Sequence, residues 1–270
     1  MVQFTLYVDK NTFLHRLDPR SKLVWLVCVW IWALAFNNPI WVSFIFIISV
    51  GFGLLSKSLS KFGFAIYGLI SLFIMSALMW PFFRHGETII YAFYLPFTTI
   101  TVEYESVLYG LAVAMRLYAM ITASLVFFAT TRIEDLSVAL YKLKIPYGLI
   151  FGITTIFRFI PTMYGEAQLI TLAQEARGVD LRRGSLIEKA KNAAPMITPL
   201  FVTTLRRAGE LIMAVESRGF LMGGEKRSFY YEINFGIADA LLIILSIAAA
   251  IFFHYLRWVL GYGVMLPQYL

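Results

Sequence analysis

Two short segments of the chain share one pattern, Glu175-Ala176-Arg177-Gly178 and Glu216-Ser217-Arg218-Gly219, and they lie 41 residues apart. The same shift superimposes Ala167 on Ala208 and Ala173 on Ala214. A glycine just past the last turn of a helix takes the left-handed conformation that closes it. An arginine one residue earlier then projects from the tip. Such a residue breaks no bonds; its chemistry is docking. One copy reads as ordinary capping, in which the helix dipole favours the arginine by roughly 0.3–1 kcal/mol. Two copies at matching helix ends read as paired docking tips, Ala176, Arg177 and Gly178 in the first, Ser217, Arg218 and Gly219 in the second.

Residues with bond-making chemistry are sparse. His15, His85 and His254 lie near predicted membrane boundaries and far apart in the chain. There is no His-Glu-x-x-His, no pair of intramembrane carboxylates and no Gly-x-Ser-x-Gly, so no catalytic, cofactor or metal residue is assigned. There is likewise no Gly-x4-Gly-Lys-Ser/Thr loop, which leaves any ATP to a partner. The single cysteine, Cys28, lies in an apolar run and reads as a small core residue.

The elements that position the tips follow from composition. Of 270 residues, 60% are apolar, 17% aromatic and 14% charged, with mean hydropathy +0.75. That excludes soluble, disordered, collagen-like, nucleic-acid-binding and disulfide-rich secreted classes. Apolar runs at 23–36, 40–55, 62–83, 107–131 and 236–256 predict about five transmembrane helices, and a shorter one lies at 147–160. The first two are short for a core that needs about 20 residues, and Trp25, Trp30, Trp32 and Trp41 extend them as belt residues; a re-entrant pair is the alternative.

Loop charge orients the spans. Lys10, Arg16, Arg20 and Lys22 precede the first run, and Lys57 and Lys61 separate the second from the third. The stretch 84–106 carries Arg84 against Glu87, Glu103 and Glu105, and Asn37-Asn38-Pro39 is uncharged. The positive-inside rule then places the N-terminus in the cytoplasm and the C-terminus outside, with Arg257 external. Three regions result: 1–131 with the N-terminal segment and spans one to four, 132–235 as a cytoplasmic arm, and 236–270 with the last span. No signal-peptide pattern precedes the first run.

From Arg132 to Asn234 the chain holds 14 Lys/Arg and 10 Asp/Glu, a soluble composition. Pro146 and Pro161 bracket Tyr147–Ile160, expected at the membrane boundary, with Gly148 and Gly152 forming a small-xxx-small face. Pro161 is expected to open a helix that runs to Arg177. Ser185 with Glu188 forms a capping box. Pro195 and Pro199 are expected to interrupt that helix, and a third run from about Leu200 ends at Arg218. Arg116 is the one formal charge deep in a span, for which snorkelling past Tyr118 or pairing with Glu103 or Glu105 favours a structural role. Asp239, near the inner end of the last run, is expected to face the arm.

His15-Arg16-Leu17-Asp18-Pro19-Arg20 with Lys22 resembles the amino-terminal signature of the T component of energy-coupling factor transporters. Arg158-Phe159-Ile160-Pro161 leading to Ala173–Gly178, and Pro199-Leu200 leading through Arg206-Arg207-Ala208 to Glu216–Gly219, look like that family's two coupling helices. The resemblance covers the whole chain. It implies an all-α integral membrane protein with a cytoplasmic arm of long coupling helices, in a prokaryotic cell membrane. It also implies a non-catalytic scaffold, without cofactor, that joins two ABC-type ATPase subunits to a vitamin-binding membrane S subunit. Nucleic acid is not among the partners. By the same resemblance Arg177 and Arg218 meet acidic residues on the ATPases, with Ser217 standing where the family has alanine. Two alternatives come from other classes: the permease of a conventional ABC importer, whose docking loop Glu166-Ala167 faintly matches, and an intramembrane enzyme.

Overall fold

The computed structural model describes residues 7–10, 12–57, 63–83, 89–95, 98–178, 186–220 and 235–260. These residues fall into two compact units, Thr5–Ala139 with Ile233–Leu270, and Leu140–Glu232 with Met1–Phe4.

The first unit contains α1 (Phe13–Arg16), α2 (Pro19–Ala35), α3 (Pro39–Leu55), α4 (Gly63–Phe83), the strands β1 (Ile89–Leu95) and β2 (Thr98–Glu103), α5 (Tyr104–Thr130), most of α6 (Ile133–Lys142) and α9 (Ile237–Leu260). The five predicted runs correspond to α2, α3, α4, α5 and α9. Of these, α5 and α9 are long and apolar enough to cross a membrane. At 17 residues each, α2 and α3 extend roughly 26 Å at 1.5 Å per residue.

Both short helices start in the same way. Asp18 and Asn38 each precede a proline, and each side chain accepts from the backbone N–H two residues on, Arg20 N at 2.9 Å and Ile40 N at 3.0 Å. Proline at the first helical position loses no bond there, and its fixed φ suits the helix. The Asx-Pro pair thus encodes two helix starts.

Packing inside the first unit relies on small residues on opposite faces of α5, which has neighbours on more than one side. Gly110, Ala112, Ala114, Ala119 and Ala123 are all buried, which lets neighbouring backbones approach closely. Aromatics fill the wider gaps: Trp25 stacks on Phe52 at 4.6 Å, and Trp32 lies 3.9 Å from Phe253 between ring centroids. The opposite face of α9 is bare, with Leu241, Leu245 and Ile251 exposed.

Two polar layers bracket this apolar packing. At one end Asp239, only 3% exposed, accepts from Asp18 N (2.7 Å) and Ser21 Oγ (2.8 Å) through Oδ1 and from Gly236 N (2.9 Å) through Oδ2. Asp18 in turn holds the Arg20 guanidinium at 2.9 Å, and Lys22 Nζ donates to the Thr130 carbonyl at the end of α5 at 2.8 Å. The preceding segment joins this layer: Val8 N donates to Ala129 O at 3.0 Å, and His15 bridges Thr12 Oγ1 (2.7 Å) and Val8 O (2.9 Å). Burial pushes the His15 imidazole below its usual range. A neutral ring that donates from Nε2 to the carbonyl and accepts at Nδ1 fits both partners.

At the other end the Arg116 guanidinium donates to Phe36 O and to Asn37 Oδ1, and Arg257 donates to Ala35 O. The layers are separated by roughly 27 Å along α9, from Asp239 to Arg257, and by roughly 21 Å along α5, from Thr130 to Arg116, at about 1.5 Å per residue. That spacing approaches a hydrocarbon core of about 30 Å.

Several expectations are corrected. Arg116 engages the end of α2 rather than Glu103 or Glu105, because α2 terminates beside the middle of α5 and leaves carbonyls that need donors. Asp239, expected to face the arm, has its carboxylate buried against the start of α2 within the first unit. The stretch 84–106 is not plain loop, since β1 and β2 pair antiparallel with Leu95 opposite Thr98 and an irregularity between Ile89 and Tyr91. Its β-branched and aromatic residues carried that signal.

Removing the carboxylate with Asp239→Ala leaves the buried Asp18 N–H without an acceptor. A charge-assisted, buried partner of this kind is worth about 2–4 kcal/mol. The detergent melting temperature is expected to fall by several degrees, whereas Leu241→Ala, on the bare face of the same helix, leaves it nearly unchanged.

Candidate functional site: a two-tipped helical hairpin

The second unit is built on α7 (Tyr147–Ala176) and α8 (Leu186–Ser217). The expected breaks do not occur. α7 runs unbroken through Pro161, so Tyr147–Ile160 is the first half of a 30-residue helix. α8 runs through both Pro195 and Pro199 for 32 residues.

Each internal proline removes one donor and frees the carbonyl four residues earlier. For Pro199 that carbonyl belongs to Pro195, and Gln174 Nε2 of α7 donates to it at 3.4 Å. The amide replaces the lost intrahelical bond from outside. This gives Gln174, 8% exposed, its reason for burial between the helices. The capping box fares differently, because Ser185 lies outside the described residues.

The two helices form an antiparallel hairpin, and five contacts fix its register. Near one end Phe220 packs against Tyr147 (5.4 Å) and Phe151 (4.6 Å). In the middle Thr204 Oγ1 donates to Met163 Sδ at 3.4 Å, and Arg207 forms an ion pair with Glu166 at 2.5 Å. Gln174 and Pro195 mark the other end. The Gly148–Gly152 face makes no close packing: a Cβ at either position would meet nothing within 4 Å among the described residues.

Both tips have the geometry their sequence implies. α7 ends at Arg177, whose backbone N–H donates to Gln174 O at 3.0 Å, and Gly178 follows with φ +88° and its N–H on Glu175 O at 3.0 Å. α8 ends with Gly219 at φ +66°, its N–H on Glu216 O at 2.9 Å. In this left-handed region any residue with a Cβ is strained. Ala176, Arg177, Gly178, Ser217 and Arg218 are exposed and Gly219 is half-buried. Neither guanidinium has a hydrogen bond or ion pair among the described residues.

The hairpin separates the tips rather than bringing them together. Arg177 lies three residues beyond Gln174, beside Pro195, while Arg218 closes the far end of α8. Pro195 and Arg218 are roughly 35 Å apart along the axis at 1.5 Å per residue. The arrangement offers two chemically alike, cationic ends of one rigid element. Among the described residues no three His, Cys, Asp or Glu side chains gather as a metal site.

Sequence reasoning missed Gln174, Thr204 and the Glu166–Arg207 pair. A signal was present for two of them: the 41-residue shift that aligns the tips also carries Met163 onto Thr204 and Glu166 onto Arg207, and these partners meet where the two helices cross.

Comparison with known proteins agrees with this architecture. Residues 10–230 match the family described as the cobalt transport protein CbiQ. The energy-coupling factor transporter transmembrane protein EcfT of Lactococcus lactis subsp. cremoris is 32% identical over 251 residues, covering 88% of this chain and 91% of that protein. EcfT of Acidaminococcus fermentans is 32% identical over 265 residues, 93% and 95% of the two chains, and that of Bacillus selenitireducens 34% over 261 residues, 91% and 94%. The match extends over nearly the whole length, and the chain belongs to this CbiQ/EcfT family of mostly helical transporter membrane proteins.

Proposed function

We propose that the chain is the transmembrane scaffold of an energy-coupling factor importer for a vitamin or other micronutrient. In this reading it passes the ATP-driven motion of two cytoplasmic ATPases to a substrate-binding membrane subunit. The observation that carries the proposal is the pair of exposed arginines on left-handed glycine caps, held roughly 35 Å apart along one hairpin. One tip would serve one docking groove; two equivalent and distant tips suit two equivalent ATPases. Arg177 and Arg218 each meet a carboxylate, with Ala176 and Ser217 keeping the approach narrow and Gly178 and Gly219 turning the chain away.

Loop charge supports a cytoplasmic N-terminus and arm. The membrane subunit finds an apolar surface at hand on α7, where Leu149, Ile153, Ile156 and Ile160 are exposed at helical spacing. The chain itself carries no phosphate-binding loop and acts without catalysis or cofactor. The permease alternative is disfavoured because Glu166, the residue its docking loop would present, is engaged by Arg207.

Three measurements test the reading. Arg177→Ala and Arg218→Ala are each expected to weaken the ATPase contact by about 2–5 kcal/mol, much of it from the carboxylate left unpaired. At 1.4 kcal/mol per decade this is some 30-fold to several-thousand-fold in affinity. Avidity preserves part of the complex in each single variant and not in the double variant. Pull-down and uptake, with detergent melting as control, read this directly; wild-type assembly in the double variant would sink the docking role. Calorimetry of the isolated chain is expected to detect no ATP binding, and micromolar binding would falsify the scaffold assignment. In a Cys28→Ser background, a cysteine at the exposed Tyr104, next to Glu103, is expected to be labelled from outside and one at Ala176 from the cytoplasm, and the reverse pattern overturns the topology.

A further inference from the structure

The second polar layer has an unbalanced charge. Arg116 of α5 and Arg257 of α9 converge on consecutive carbonyls at the end of α2, with Asn37 Oδ1 accepting a further bond from Arg116 at 2.8 Å. Tyr109 also hydrogen-bonds Arg116, and the charge of Arg257 acts on it. No carboxylate pairs with either guanidinium among the described residues. A helix C-terminus supplies only about half a negative charge, against two full positive ones. Meanwhile Arg116 Nε is buried without an acceptor among the described residues.

We infer that this corner binds the phosphate of an anionic phospholipid headgroup. A guanidinium presents a planar fork of donors that matches phosphate oxygens, and the carbonyl bonds already hold both forks in place. The depth is right for a headgroup: the layer lies roughly 21–27 Å from the opposite one at 1.5 Å per residue. Trp258, 74% exposed, adjoins Arg257, and Trp41 packs on Phe36 at 6.0 Å, a level where interfacial aromatics settle. Exposed Ile40, Phe44 and Val259 offer apolar flanks for acyl chains. The excess positive charge selects a lipid with net negative charge over a zwitterionic one, whose own ammonium already neutralises its phosphate. A small free anion would satisfy the charge but gain nothing from the flanks. The inference needs only that the chain is embedded in a membrane and stands whether or not the hairpin docks ATPases.

The test uses the purified full chain, delipidated in detergent, with phosphatidylglycerol, phosphatidylcholine or inorganic phosphate added separately. Phosphatidylglycerol at about a hundredfold excess over its dissociation constant is expected to raise the melting temperature by roughly 5–10 °C. Phosphatidylcholine and inorganic phosphate are expected to leave it nearly unchanged. Arg257→Gln abolishes the rise and Arg257→Lys retains part of it. An equal rise with phosphatidylcholine shows an apolar crevice indifferent to charge, and an equal rise with inorganic phosphate shows a small-anion site; either overturns the inference. Native mass spectrometry of the wild-type chain in a mixture of the two lipids gives a second reading that needs no variant. Preferential retention of phosphatidylglycerol is expected, and equal retention refutes the site.

Discussion

Asp239 is the group on which the membrane unit depends. Helices in lipid have no hydrophobic drive to associate, because acyl chains are as apolar as leucine. Something directional must therefore join their ends. A single buried carboxylate does so here by accepting from Asp18 N, Ser21 Oγ and Gly236 N, which ties the start of α9 to the start of α2. Lys22, one residue past Ser21, extends the same layer to the end of α5 through Thr130 O. Three helices that are far apart in sequence are thereby joined at one level.

Once that level is set, the other ends follow from geometry. α2 is short, so its last carbonyls fall beside the middle of α5 and near the end of α9, where Arg116 and Arg257 supply donors. A charge that looks buried mid-span by counting along α5 sits at the terminus of a neighbouring helix. Between the two layers small residues of α5 and interlocked aromatics provide the contact area, with Ala119 and Ala123 fully buried. The polar bonds give register and the packing gives adhesion.

The hairpin solves a different problem, how to keep long helices continuous despite three internal prolines. A proline inside a helix costs about 3 kcal/mol or more through the lost bond and the steric clash. Gln174 offsets part of that by bonding the carbonyl freed by Pro199, and the Glu166–Arg207 pair fastens the helices near their midpoints. This ion pair is partly exposed, so its own contribution is at most about 1 kcal/mol. The result is a rod that holds its two ends at a defined distance. Each end closes on a left-handed glycine, and capping and projection of the arginine are there a single structural act.

Local signals in the sequence determined much of this. Asp18-Pro19 and Asn38-Pro39 specify helix starts, apolar runs specify the five apolar helices, and the repeated Arg-Gly endings specify two alike tips, because each depends only on neighbours in the chain. The family resemblance rested on the same residues, and the match over 10–230 accords with it. Three things were decided only by tertiary structure. The prolines at 161, 195 and 199 read as breaks, yet both helices run through them, and the carbonyl freed by Pro199 finds its donor on the partner helix, Gln174. Arg116 and Asp239 read as a mid-span charge and a carboxylate facing the arm, since their acceptors and donors lie some 80 and 220 residues away. The separation of the tips needed the hairpin's register, which the interhelical contacts at Met163–Thr204 and Gln174–Pro195 set. A bond between residues distant in the chain leaves no local trace, and that is where the sequence alone fell short.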